Sequence, residues 1–111
     1  MTATELSKLT NLTNRQLQWW DERGYVKPIR AANRQRIYSD DQARLMALMA
    51  QFRGKGVPLQ ELVLCMGTLK IYAQSPGFVL KLRRGFLRAH TKAECLKIAA
   101  SHRGPVLMVQ I

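Results

Sequence analysis

Side chains with paired hydrogen-bonding groups are concentrated between Thr13 and Gln18, where the chain reads T-N-R-Q-L-Q. The guanidinium of Arg15 can donate two parallel hydrogen bonds, and the amide of Asn14 can donate one and accept another. Such pairs match the edges of guanine and adenine, and each good bidentate contact contributes about 1 to 3 kcal/mol of discrimination between bases. We therefore predict base readout by Asn14 and Arg15. Thr13, Gln16 and Gln18 are expected to reach a base or a phosphate.

A basic segment follows within a few residues of this group. Its cations are suited to neutralising phosphates or to entering a minor groove, which adds affinity and salt sensitivity more than sequence preference. They are Lys27, Arg30, Arg34 and Arg36. Trp19 either packs beneath this segment or touches the sugar-phosphate backbone. Tyr38, which closes the segment, is counted among the candidate contacts, although an aromatic side chain there is more often part of a core.

A helix is the element that must position the first group. Thr13 can cap it by accepting a hydrogen bond from the amide of residue 15 or 16. Leu17 and Trp20 stand three residues apart and are expected to face the core, with the polar residues on the opposite side. Gly24 suits a left-handed stop just after the helix ends near Arg23.

The basic segment is predicted to form a small two-stranded wing over residues 25–38. Tyr25 and Val26 favour extended backbone, and Pro28 removes a backbone donor. The run 36–38 alternates polar and apolar side chains, as a short strand does.

Three more helices are predicted in the first 75 residues. The first begins near Thr4, carries Leu6 and Leu9 on one face, and ends near Asn11. A third helix is capped by Ser39, and a fourth has Pro58 in its first turn. Their apolar stripes are Leu45, Leu48, Met49 and Phe52 in the third, and Leu59, Leu62, Val63, Met66 and Leu69 in the fourth.

After the break at Ser75-Pro76-Gly77 the pattern changes to short apolar runs around one capped helix. We expect a β-β-α-β module over 76–111, in which the helix from Thr91 to His102 starts with a capping box to Glu94. This helix is expected to bury Cys95, Ile98 and Ala99. The predicted fold class is mainly α: a winged helix-turn-helix with four helices and a two-stranded wing in domain 1–75, followed by the small α+β domain 76–111.

Composition favours a polyanionic partner. The chain has 111 residues, a formal net charge of +11 and 47% hydrophobic residues, so a strongly basic surface can lie on a folded core. The two cysteines are thirty positions apart and form no C-x-x-C motif, as is usual in a reducing compartment. Neither a signal peptide nor an apolar stretch long enough for a bilayer is present. We expect a cytoplasmic, nucleoid-associated protein without a membrane partner.

These residues resemble the DNA-binding domain of MerR-type bacterial transcription regulators over roughly residues 4–66. The family pattern has paired aromatics, an acidic-basic pair, glycine, an apolar residue, proline, a basic wing and tyrosine. Here it reads Trp19-Trp20, Glu22-Arg23, Gly24, Val26, Pro28, Arg30, Arg36 and Tyr38, and the later run K-G-V-P-L-Q-E-L also fits. The resemblance implies a winged helix-turn-helix that binds double-stranded DNA.

This sequence departs from the family pattern at several positions. Gln18 stands where the family usually has an arginine before the paired aromatics, and Trp20 stands where it usually has tyrosine. In the wing, R-Q-R at 34–36 replaces the usual Gly-Tyr-Arg. Family members also normally dimerise through a long helix after the fourth one. Here Pro76-Gly77 ends that region early.

Other functions are weighed against this one. An architectural or excisionase-like recombination factor uses the same winged helix, and an RNA-binding accessory protein is a further alternative that the lack of alternating strand aromatics disfavours. No catalytic set or glycine-rich phosphate loop is visible, so we expect neither an enzyme nor a cofactor. Metal sensing would use Cys65, His90, Cys95 and His102, whose spacing matches no compact ligand motif.

The module 76–111 carries seven basic residues against the single acid Glu94, a net charge of +6. It either extends the DNA footprint or supplies a homodimer contact through its terminal strand. A ligand-sensing role is disfavoured because so few residues leave little room for a pocket.

Overall fold

The computed structural model describes residues 1–111 and is about half helical, with six helices and two small antiparallel sheets. The chain measures 50 × 25 × 22 Å along its principal axes. The elements in chain order are α1 Ala3–Thr10, α2 Asn14–Glu22, β1 Ile29–Arg30, β2 Arg36–Ile37, α3 Asp40–Gly54, α4 Leu59–Leu64, α5 Met66–Tyr72, β3 Phe78–Lys81, β4 Phe86–Ala89, α6 Lys92–Ser101 and β5 Leu107–Gln110.

A short turn joins α1 to α2. Its first residue, Asn11, caps α1 in the left-handed region at φ 60°, a conformation that asparagine tolerates better than most residues. Leu6 and Leu17 are fully buried where the two helices meet the rest of the core. The prediction that Leu9 shares the buried face is wrong, because it is 62% exposed. Leu9 is turned about 60° from Leu6 around the helix axis, and α1 packs through a stripe too narrow to include both.

The paired strands after α2 are shorter than the sequence predicted. Only Ile29 to Arg30 and Arg36 to Ile37 form the antiparallel pair β1-β2. Tyr25 and Val26 lie outside it because their backbone amides donate to the carbonyl of Trp20, at 3.0 and 3.4 Å. Their side chains pack against α2 and the core, and Val26 is buried. Burial of these two side chains takes precedence over their preference for strand.

The helix α3 forms as predicted, with Ser39 as its cap and its whole apolar stripe buried. The prediction of a single fourth helix is wrong. The chain breaks at Cys65, at φ −98° and ψ 14°, giving α4 and α5. Pro58 is the cap of α4 and not part of its first turn. Gly67 follows the break, and glycine is a poor helix former. The bend allows Leu62 and Leu69 to remain fully buried on either side of it.

The second sheet has the strand order β4-β3-β5, and the predicted β-β-α-β order is confirmed. One face of the sheet, with Val79, Phe86 and Val109, belongs to the main core. The rings of Phe52 in α3 and Phe86 meet edge to face, with centroids 5.2 Å apart. The other face, including Leu80, is covered by α6. The module therefore shares one apolar core with the helices that precede it.

Two expectations for α6 are corrected by the structure. Ala99 is exposed and Ile98 is only half-buried, so Cys95 is the one fully buried residue of the helix. A three-stranded sheet is narrow, and it covers only a thin stripe of the helix. Thr91 does cap α6, but Glu94 accepts a hydrogen bond from the amide of His90 at 3.1 Å instead of closing the predicted capping box.

Arg88 fastens the link between α5 and β3. Its Nη2 donates to the Ser75 carbonyl and hydroxyl, both at 3.0 Å, and to the Pro76 carbonyl at 2.6 Å. A Cβ built on Gly77 would lie 2.6 Å from this guanidinium, so a larger residue there would have to displace the guanidinium from these hydrogen bonds. Gly77 also exchanges two backbone hydrogen bonds with Ile111, at 2.9 and 2.8 Å.

Candidate nucleic-acid interface

The amino-terminal turn of α2 is held by a reciprocal capping box. The Thr13 side chain accepts from the Gln16 amide at 3.1 Å, and the Gln16 side-chain oxygen accepts from the Thr13 amide at 2.8 Å. Two donors that the first turn would leave unpaired are thereby satisfied. Leu17 and Trp20 are buried on the inner side of the helix, as the sequence predicts. The opposite side of its first turn is thus fixed in place and open to solvent.

Asn14 and Arg15 occupy that open side. Both side chains are exposed, and neither makes a hydrogen bond or an ion pair within the protein. Gln18 is also exposed, but its amide nitrogen donates to the Glu22 carboxylate at 2.9 Å. The two residues expected to read bases are therefore free to meet a ligand, and Gln18 is held along the helix toward its carboxy-terminal end.

Trp19 belongs to an aromatic group at the carboxy-terminal half of α2. Its ring lies 5.4 Å from that of Trp20 and 5.7 Å from that of Tyr25, measured between centroids. The guanidinium of Arg23 stacks over the ring of Trp19 at 5.2 Å. Trp19 is half-buried in this group, so its packing contacts are well defined while one edge stays accessible.

Arg30 ties the β1-β2 hairpin to α2. Its Nη2 is 3.0 Å from the Asp21 carboxylate, and its Nη1 donates to the Arg34 carbonyl at 3.2 Å. Arg30 therefore holds the hairpin at a fixed position beside the helix. Sequence reasoning counted Arg30 as a phosphate contact and missed Asp21, because nothing in the spacing of the two residues indicates that they pair.

Arg34 is at the tip of the hairpin, in the left-handed region at φ 66°. Its amide donates to the Ala31 carbonyl at 2.9 Å, and the Asn33 side chain accepts from the Gln35 amide at 3.1 Å, which closes the turn. The Arg34 side chain is exposed and has no partner in the protein. It is therefore an exposed cation of the hairpin that is free to bind an anion.

Arg36 is in β2, and Tyr38 follows directly after that strand. Nη1 of Arg36 and the hydroxyl of Tyr38 are buried, and neither has a hydrogen-bond partner. Burial raises the pKa of Tyr38, and the nearby Arg36 guanidinium partly opposes that rise. Tyr38 is only 2% exposed, which agrees with a packing role and leaves its side chain little surface for DNA.

Lys27 lies past the carboxy-terminal end of α2, on the side of α3 and α5. With Tyr25, Asp41 and Lys70 it lines an open depression of about 290 Å³. Its carbonyl accepts from the Gln42 side chain at 2.6 Å, and its ammonium group makes no ion pair. It therefore lies apart from the first turn of α2.

The turn between α3 and α4 was not predicted as part of the site. The residues that flank it, Arg53 at the end of α3 and Leu59 at the start of α4, face Gln16 and Trp19 across a cleft of about 420 Å³. Arg53 donates to the Val57 carbonyl at 3.2 Å, which braces the turn. The basic residues of the run R-G-K-G-V-P were the available signal.

Two other features concern metal ligands and the length of the helices. No three His, Cys, Asp or Glu side chains come together where they could hold a metal ion. Cys95 is the buried residue of α6, and burial raises its pKa, with the Glu94 carboxylate adding to the rise. None of the helices combines the length and apolar character that crossing a bilayer requires.

Two short helices, a tight turn between them and an open polar first turn on the second define a helix-turn-helix protein. The sequence model of the MerR HTH family of regulatory proteins matches residues 1–67. The chain therefore belongs to this family and is a DNA-binding transcription regulator. No curated protein matches the chain. Residues 68–111 lie outside the family match.

Proposed function

We propose that α2 enters the major groove of double-stranded DNA and that Asn14 and Arg15 read base edges there. The observation that carries this proposal is the pair of exposed, unpartnered side chains in the first turn of a helix whose inner face is buried. A helix presents its amino-terminal side chains most closely to the bases in such complexes. This turn also contains no acid that would repel phosphates, and the helix dipole favours anions at this end.

The β1-β2 hairpin is proposed as the wing that grips the neighbouring phosphates. Arg34 supplies the free cation at its tip, and Arg30 acts by fixing the hairpin to Asp21. Arg36 is half-buried, so its charge attracts phosphates at a distance more than its side chain contacts them directly. Thr13 and Gln16 border the same surface, and the accessible part of Trp19, which lies in α2 itself, can meet a sugar.

Sequence-specific regulation is favoured over RNA binding. Single-stranded RNA is commonly bound by stacking bases on aromatic side chains exposed on a sheet. Every aromatic side chain of this protein is buried or half-buried. Both faces of the three-stranded sheet are covered, one by the main core and the other by α6.

Arg15→Ala tests base readout by α2. Duplexes enriched by the wild-type protein from a random pool provide the specific target, and unenriched duplexes provide the comparison. We expect the variant to lose about 1 to 3 kcal/mol of preference for the enriched sequence. Lys70→Ala removes the same charge from an exposed position on α5 and is expected to keep the preference.

Equal loss on enriched and unenriched duplexes would contradict base readout by Arg15. If wild-type protein binds duplexes without enriching any sequence, the architectural alternative is favoured over a sequence-specific regulator.

A further inference from the structure

The basic residues of the module 76–111 are of two kinds. Lys81 forms an ion pair with Glu61 at 3.1 Å, and Arg88 fastens the chain around Ser75. These two cations therefore already have partners within the protein. Arg83 and Arg84, by contrast, are exposed and have neither an ion pair nor a hydrogen bond to another residue.

Arg83 and Arg84 are held at the tip of the β3-β4 hairpin. The Leu82 amide donates to the Gly85 carbonyl at 3.0 Å, directly behind the two arginines. Gly85 takes φ 92°, a left-handed conformation that glycine adopts without steric cost. The two arginines therefore project from a closed, defined turn, so less backbone entropy is lost when they bind a ligand than in a flexible loop.

This hairpin tip is connected to the surface of α2 through the α3-α4 turn. Arg53 and Gly54 face α2 across the cleft described above. The next residues, Lys55 to Pro58, line an adjoining groove of about 370 Å³, whose other side is formed by Lys81 and Arg83. Glu61 is the one acid that lines this groove, and Lys81 neutralises it.

We propose that the β3-β4 tip is a second phosphate-binding element, which contacts the backbone of duplex DNA flanking the segment that α2 reads. The inference rests on the proposed function of α2, and it assigns a role to residues outside the family match at 1–67. Two unpaired guanidinium groups on a defined turn suit phosphate oxygens, since arginine binds them with parallel hydrogen bonds. Phosphate contacts of this kind add affinity and register without adding sequence preference.

The test compares two full-length double variants that carry the same net charge. The double variant Arg83→Ala, Arg84→Ala removes both cations from the hairpin tip. Lys92→Ala with Lys97→Ala removes two exposed cations from α6, on the face of the sheet turned away from the main core. Affinity for a 40-base-pair duplex of mixed sequence is measured between 50 and 200 mM salt, after thermal melting has confirmed that both variants are folded.

The hairpin variant is expected to lose about two phosphate contacts. Its slope of log affinity against log salt should fall by about 1.8, so that the loss of affinity across this salt range becomes roughly tenfold smaller. The α6 variant should keep the wild-type slope. A wild-type slope in the hairpin variant, or equal changes in both variants, would overturn the inference.

Duplex length separates this inference from the proposed function. Wild-type protein should bind a 30-base-pair duplex more tightly than a 14-base-pair duplex with the same enriched centre, and the hairpin variant should lose that gain. Absence of duplex binding by the wild type would refute the proposed function itself. Tight binding by both proteins with the same length dependence would refute only the role of the β3-β4 tip.

Discussion

Arg34 combines an unfavourable backbone conformation with an exposed charge. A left-handed conformation costs a residue with a Cβ roughly 1 to 2 kcal/mol, and Arg34 adopts it at φ 66°. The family usually has glycine at this position of the wing, which agrees with the geometry of the turn. Strained residues are often found where they serve a ligand, and a guanidinium at the hairpin tip is suited to a phosphate.

Arg34→Gly should therefore raise the stability of the protein while it weakens the binding of DNA. We expect the free energy of unfolding to rise by about 0.5 to 1 kcal/mol, since relief of the backbone exceeds the added chain entropy of glycine. The salt slope of DNA binding should fall by about 0.9, or one phosphate. Arg34→Ala is the matched control: it should show the same slope without the gain in stability. Denaturant titration and salt-dependent affinity measure the two effects, and an unchanged slope in both variants would remove Arg34 from the interface.

Tyr38 should make the stability of the folded protein depend on pH in the alkaline range. Its pKa is raised in the folded protein, chiefly by burial, so the folded state keeps the phenol proton to higher pH than the unfolded chain. The resulting stabilisation is present below pH 10 and is lost as pH rises through the folded pKa. Tyr38→Phe should flatten this decline, because it removes the group that titrates. Urea unfolding at pH 9 and at pH 11 tests this, and an equally steep decline in the variant would contradict it.

At the scale of elements, the sequence predicted best where local chemistry decides the structure. The caps Thr13 and Ser39 are formed by side chains three residues from their partners, and both are confirmed. The break at Cys65 and the course of Tyr25 and Val26 were missed. Both depend on how side chains are buried against the core, which overrides the local preferences of these residues and which propensity alone does not reveal.

The site shows the same division. The exposure of Asn14 and Arg15 follows from helix periodicity, and the sequence predicted it. The contact of Arg30 with Asp21 and the position of Arg53 opposite α2 depend on how the hairpin and α3 lie in space. Periodicity tells which face of a helix is polar, but not which element stands opposite that face.

Phe86→Ala tests whether the module and the preceding helices unfold together. We expect a loss of about 3 to 5 kcal/mol, because a buried aromatic that packs on Phe52 is removed. Both tryptophans lie in α2, so their fluorescence reports on a distant part of the chain. Their transition should move to lower denaturant, whereas Leu87→Ala, at an exposed neighbour, should barely move it. An unmoved tryptophan transition in Phe86→Ala would support two independent domains divided at residues 75 and 76.

At the scale of the whole molecule, the homodimer through the module stays a prediction. The outer edges of β4 and β5 have no strand partner in the sheet, and a second copy adding at β5 would extend it. Light scattering should then give twice the chain mass of 12.7 kDa. Gly77 and Ile111 exchange two backbone hydrogen bonds, and such hydrogen-bonded pairs alternate with non-hydrogen-bonded pairs along antiparallel strands. Met108 is opposite Leu80 in a non-hydrogen-bonded pair, so its amide points toward the open edge of β5.

Met108→Pro should consequently abolish the dimer while sparing the pairing of β5 with β3, because proline removes an outward amide. Met108→Ala keeps that amide and should remain dimeric. A wild-type mass of one chain would contradict the prediction, and a dimeric proline variant would exclude β5 as the contact.

The capping box of α2 also constrains which bases can lie opposite it. Gln16 turns its oxygen back to the Thr13 amide, so under the proposed function its two amide N–H donors are the groups left free to face the groove. A base whose edge presents acceptors, such as guanine, can satisfy them, whereas the amino group of cytosine would have to share the oxygen that already accepts from Thr13. The way the helix begins thus favours some bases over others before any DNA has been bound.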